Sequence, residues 1–146
     1  MSFLEKSITI NKPVNEVFEA AIDFKNSPEI MDAVIKVELL SEGPVREGYQ
    51  FKETREIRGR KASSVIEVTK FLKDQRYSVQ SVQNGLDLRY HYTFSEVSDG
   101  TKVEFRGELY TEGLRNKLAR PLIERIIRKE DQDHLVHLKN YIETNH

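Results

Sequence analysis

A chain of 146 residues, 38% hydrophobic and 32% charged, is expected to form one domain over 1–146 that buries its own core; this composition excludes a disordered polymer. A formal net charge of −1 excludes a general electrostatic case for nucleic acid or an anionic surface as partner. Without cysteine there is no disulfide framework, thiol nucleophile or thiolate metal site, which fits a reducing compartment.

The opening Met-Ser-Phe-Leu-Glu-Lys lacks an apolar signal core, and no stretch reaches the length needed to span a bilayer, so a cytoplasmic location is expected. Phe3 to Ile10 alternates and reads as a strand. Asn11 is placed to cap a helix opening at Lys12-Pro13-Val14, whose apolar face is Val14, Val17, Phe18, Ala21 and Ile22. Ser27-Pro28-Glu29 starts a second short helix, and Val34 to Leu40 is the next strand.

From Gly48 the chain reads as an antiparallel meander. Gly59-Arg60 is expected to join Tyr49–Arg58 to Lys61–Lys73, Asn84-Gly85 to join Arg76–Gln83 to Leu86–Val97, and Asp99-Gly100 to lead into Thr101–Thr111. Two-residue loops preserve face identity, so one face can be followed through the sheet. It carries Tyr49, Phe51, Glu53, Arg55 and Ile57, then Ala62, Ser64, Ile66, Val68 and Leu72. It continues through Tyr77, Val79, Ser81 and Gln83, then Leu86, Leu88, Tyr90, Tyr92 and Phe94, and ends with Val103, Phe105, Gly107 and Leu109. The opposite face, Gln50, Lys52, Thr54 and Glu56 through Arg89, His91, Arg106 and Glu108, is polar and reads as solvated.

The last stretch, Leu118 to Ile142, reads as one long helix covering the apolar face of that sheet, its stripe formed by Leu122, Ile123, Ile126, Ile127, Leu135, Leu138, Tyr141 and Ile142. Glu130 and His134 fall within the stripe at 100° per residue. Polar residues on both inward faces, Glu53, Arg55, Ser64, Ser81 and Gln83 on the sheet and these two on the helix, point to a partly hydrated cavity, because buried charge must be paired or wetted.

Several pieces in this order resemble the START-like (SRPBCC, Bet v 1-like) superfamily of polyketide cyclase/dehydrase and lipid-transport type. They are Ile8-x-Ile10 followed by Pro13-Val14-x-x-Val17-Phe18, Gly48-x-x-Phe51, Tyr92-x-Phe94 running into Asp99-Gly100-Thr101, and Leu135-x-x-Leu138-Lys139-x-x-Ile142-Glu143. The resemblance implies an α+β helix-grip fold: a curved seven-stranded antiparallel sheet wrapped around the long C-terminal helix, with two short helices after strand 1. It also implies a deep cavity for an apolar or amphipathic small molecule. Many members carry a Trp near the position of Pro28–Met31, whereas this chain has none. Some relatives are cyclases, hydratases or hydrolase-like enzymes and others carry or sense ligands, so fold does not choose between these activities.

The cavity is expected to be lined by Phe51, Glu53, Arg55, Ile66, Val79, Ser81, Leu88, Tyr90, Tyr92, Phe105, Ile126, Ile127, Glu130 and His134. Arg55 reads either as an anchor for a ligand carboxylate, phosphate or carbonyl or as half of an internal ion pair with Glu130. Glu130 and His134, one turn apart, read as an acid/base pair or as charged residues at the wet edge of the helix. His134-x-x-His137 with Asp131, Asp133 and Glu130 nearby reads as a metal site or as an i, i+3 pair of the kind common on exposed helices; zinc needs three or four converging ligands, and no metal, cofactor or catalytic residue is assigned. Arg115, Lys117, Arg120, Arg125, Arg128 and Lys129 face only Glu124 over positions 113 to 129, a local basic excess.

The first expectation is therefore a binding protein, monomer or homodimer, that carries or senses a small apolar or amphipathic molecule. The second is a cofactor-independent cyclase or dehydratase using the same cavity. The third is a module docking on RNA, the ribosome or an anionic membrane through the basic stretch. Nucleic acid ranks low as a partner because no aromatic residue interleaves with the cations, and an integral-membrane role is not expected.

Overall fold

A computed structural model describes residues 2–145. In chain order the elements are β1 (Ser2–Ile10), α1 (Val14–Ala21), a 3-10 turn (Phe24–Asn26), α2 (Ser27–Ile30), β2 (Val34–Leu39), β3 (Gln50–Ile57), β4 (Arg60–Leu72), β5 (Arg76–Gln83), β6 (Leu86–Val97), β7 (Gly100–Thr111), α3 (Leu114–Asp131) and α4 (His134–Asn145). The strands form one antiparallel sheet in the order β1-β7-β6-β5-β4-β3-β2. Its inner face is covered by the helices: α1 rests on β6 and β7, α2 bridges β2 and α4, and α4 runs along β1.

The first helix is not capped by Asn11. Pro13, in extended conformation, occupies the N-cap position, and the Asn11 backbone N–H instead donates to Glu143 Oε2 at 3.0 Å, tying the first loop to α4.

The hairpins are set by turn chemistry, with two loops displaced by one residue from expectation. Arg58 and Gly59 both take positive φ, 53° and 79°, so Arg58-Gly59 is the loop and Ile57 pairs with Arg60. Ser98-Asp99 likewise leaves Val97 opposite Gly100. Each displacement shifts the pairing by two residues, so every side chain stays on its expected face. Asn84-Gly85 forms the expected turn, with Gln83 opposite Leu86.

One face assignment fails. A bulge between Val68 and Lys70 reverses the alternation at the end of β4, because an extra residue on one strand swaps the faces of the residues after it. Phe71, not Leu72, then faces inward opposite Tyr77 and meets the Phe18 ring at 5.5 Å, while Leu72 is 44% exposed.

The C-terminal helix is two helices. The first starts earlier than expected, at Leu114 after Gly113, and it ends where Gln132 and Asp133 form a turn. At the break Asp131 is fully buried, and the His134 ring bonds the Asp131 backbone carbonyl at 2.7 Å, so a side chain serves a carbonyl at the point where the ladder stops. The stripe is correspondingly uneven. Leu135, Leu138 and Ile142 are buried and Ile123, Ile126, Ile127 and Tyr141 half-buried, but Leu122 is 60% exposed and belongs to the outer face of α3.

A cluster of buried aromatic rings lies beneath α1. Phe18 is fully buried and stands edge-on to Phe71, Tyr77 and Phe94, with centroids 5.5, 6.1 and 5.1 Å away, while Phe24 stacks on Phe51 at 4.2 Å.

Candidate ligand-binding site

Next to that aromatic cluster the sheet and helices enclose a cavity of about 350 Å³. Alternate residues of five neighbouring strands wall it, as the strand period requires: Phe51, Glu53, Arg55 and Ile57 from β3, Ala62, Ser64 and Ile66 from β4, Tyr77, Val79, Ser81 and Gln83 from β5, Leu86, Leu88, Tyr90 and Tyr92 from β6, and Leu109 from β7. The helical side contributes Ile127, Glu130, His134 and Leu138, with Ile30 and Met31 at the α2 end. Twelve of the fourteen expected residues therefore line one space; the other two do not reach it. Phe105 lies behind the wall, edge-on to Tyr90 at 4.8 Å and to His134 at 4.5 Å, and Ile126 is half-buried on the flank of α3.

The cavity opens through the sheet. Strands β4 and β5 are paired only from Leu72/Arg76 to Glu67/Gln80. Beyond that point they separate, and Ser63, Ser64 and Gln83 line both the cavity and a depression on the outer face beside Val65 and Val82. The rim is polar and the walls are apolar.

The polar cluster inside is built around Arg55. Its Nε donates to Glu53 Oε1 at 3.2 Å, and its Nη1 reaches Glu130 Oε1 at 3.3 Å and Asp131 Oδ1 and Oδ2 at 3.1 and 3.2 Å. Its Nη2 faces the Met31 thioether sulfur at 3.6 Å. The ion pair with Glu130 is thus present, within a wider set of three carboxylates around one guanidinium. Burial opposes the charge on Arg55, yet Asp131 and Glu53 together hold its pKa above the ordinary value. Burial raises the carboxyls of Glu53 and Glu130 despite the opposing pull of Arg55, and the Asp131 charge pushes both the same way. Glu130 Oε2 is buried with no hydrogen-bond partner among the described residues.

A second set of hydrogen bonds fixes the aromatic hydroxyls. The Tyr90 hydroxyl donates to Asp131 Oδ2 in a short contact, made possible because Gly107, its cross-strand partner, leaves room for the ring: a Cβ there would sit 3.2 Å from Tyr90 Cε1. The Tyr92 hydroxyl lies 3.0 Å from His134 Nε2. Because a backbone carbonyl only accepts, the 2.7 Å contact from His134 Nδ1 to Asp131 O places the proton on Nδ1, so Nε2 accepts from Tyr92. Burial lowers the His134 pKa, in keeping with a neutral ring. Both nitrogens of His134 are therefore engaged, while Glu130 turns to Arg55, so the two do not form the acid/base pair that their spacing allowed. His137 points elsewhere, 3.0 Å from the Ile30 carbonyl, and does not converge with His134.

Asp131 is the residue that sequence reasoning missed as part of the cavity cluster. It lies four residues from both Ile127 and Leu135 and so shares their face. That spacing was the available signal.

The architecture is the helix-grip arrangement of the START-like, Bet v 1-like proteins. The chain matches the family described as polyketide cyclase/dehydrase and lipid transport over residues 2–143, and it belongs to that family. Among solved structures it is similar to TTHA0849 from Thermus thermophilus (15% identity, 96% of each chain, TM-score 0.78) and to Ara h 8.0201 (17%, 97% of each chain, 0.74). It also resembles the di-domain ARO/CYC StfQ from the steffimycin biosynthetic pathway (14%, 96% of this chain and 50% of that one, 0.77). At these identities the likeness establishes the fold. No curated protein matches the chain in sequence. Among the described residues no helix is long and apolar enough to cross a membrane.

Proposed function

We propose that this protein binds a small apolar or amphipathic molecule inside the cavity, acting as a carrier or sensor in the cytoplasm without a cofactor. The observation that carries the reading is the cavity itself: about 350 Å³, with apolar walls and one localised polar cluster, falls in the size range and lining pattern of small-molecule sites. The ligand's apolar body would lie against Ile66, Val79, Leu88 and Ile127. Its polar end would meet Arg55 Nη2, whose present neighbour is the weakly accepting sulfur of Met31. Three carboxylates already surround the guanidinium, which favours a neutral carbonyl or hydroxyl over a carboxylate or phosphate at that point.

The test is native mass spectrometry of gently purified protein, with denaturation to release any bound molecule. A discrete co-purifying amphipathic compound is expected. A clean ligand-free mass, together with no uptake of an uncharged fluorescent apolar probe ending in a hydroxyl or carbonyl group, would overturn the reading.

A further inference from the structure

The outer face of α3 is a separate feature that the cavity does not explain. Leu114, Leu118 and Leu122, spaced i, i+4, i+8, are 73%, 75% and 60% exposed. At 100° per residue they share one face with Arg115, Arg125 and Lys129, all within about 60° of Leu118. Those three cations and neighbouring Lys117 are exposed and form no ion pair among the described residues. The nearest carboxylate of the helix, Glu124, is turned inward and bound to Arg120 at 3.0 Å. Scattered exposed leucines need no explanation, but three in line on a cationic helix face do.

We propose that this face seats the protein on an anionic lipid surface, the leucines entering the headgroup–acyl boundary while Arg115, Lys117, Arg125 and Lys129 meet lipid phosphates and carboxylates. Charge complementarity selects this occupant. RNA would satisfy the cations but leave the leucines in water, and 114–129 holds no aromatic residue for base stacking. Pairing two copies through this face would cover the leucines but gather cations with no carboxylate to neutralise them. The same part of α3 is tied to the cavity rim: Asn116 Nδ2 donates to the Asn84 carbonyl at 2.8 Å, and the Glu112 N–H to the Gly85 carbonyl at 2.8 Å. Docking would therefore hold Gln83 and Asn84, both lining the cavity, about one helix diameter from the lipid. The inference stands whether or not the cavity carries a ligand.

Sedimentation of the full chain with phosphatidylserine/phosphatidylcholine vesicles tests it. Binding at low salt is expected, falling as salt rises and weak with phosphatidylcholine alone. The combined substitution Leu114→Ser, Leu118→Ser and Leu122→Ser should reduce binding about tenfold or more, and Arg125→Glu with Lys129→Glu by about tenfold. Val82→Ser, on the exposed outer sheet face, should change nothing. All of these positions are exposed, so the melting temperature should stay near wild type. Absence of vesicle binding at low salt, or full binding by the leucine variant, overturns the proposal. So does a solution dimer that this variant dissolves with no vesicle binding in the wild type.

Discussion

The two ends of the sheet's inner face follow one alternation but are filled differently. At the α1 end, Phe18, Phe71, Tyr77 and Phe94 interlock; at the other end of β3–β5, Glu53, Arg55, Ser64, Ser81 and Gln83 border a void. The difference comes from the helices. Below the break at Gln132–Asp133, α4 presses Leu135, Leu138 and Ile142 fully into the sheet, whereas α3 above it offers only half-buried isoleucines and turns its leucines outward. Interiors pack densely where large side chains meet from both sides. Here one side withdraws, and a paired ionic cluster occupies the boundary.

This contrast can be broken at graded cost. Phe18→Ala at the closed end should cost about 3–5 kcal/mol in denaturant unfolding, since it removes a ring that touches three others. Arg55→Met strips the shared cation from three carboxylates and should cost about 3 kcal/mol at neutral pH. Glu53 and Glu130 have raised pKa values, so their protonation on acidification relieves part of that loss; a loss that grew toward pH 5 would contradict this account. Tyr92→Phe leaves His134 Nε2 a buried acceptor without its donor, with an expected cost of about 1–2 kcal/mol. Ser81→Leu, pointing into open space, should change stability by less than about 1 kcal/mol while reducing ligand uptake.

The neutral state of His134 has its own signature. Its pKa is lowered on folding, so the stability it contributes is complete above its unfolded value of about 6.5 and is lost as pH falls through the lower folded value. An NMR titration of its ring should place the midpoint below that of a free imidazole.

The sheet, its faces and most of the cavity wall were legible because alternation and two-residue turns are local signals that survive small errors. Displacing two loops by one residue moved the registers by two and left each face intact. The bulge at Thr69 was not legible, since an extra residue leaves no mark in a pattern of Val68, Thr69 and Lys70. The helix break was hidden for a different reason. It sits beside Asp131, whose partner Arg55 lies 76 residues away, and long-range pairing of charges has no local pattern. Glu130 and His134 both line the cavity, but their partners Arg55 and Tyr92 come from strands far away in sequence.

The parting of β4 from β5 also changes how the sheet meets water. Past Glu67 and Gln80 the middle of the sheet gains two short free margins, where alternate backbone amides face an opening instead of a neighbouring strand. Hydrogen–deuterium exchange should therefore run fast at Ser81–Gln83 and slow at Tyr77–Val79 of the same strand, marking the seam through which solvent reaches the interior.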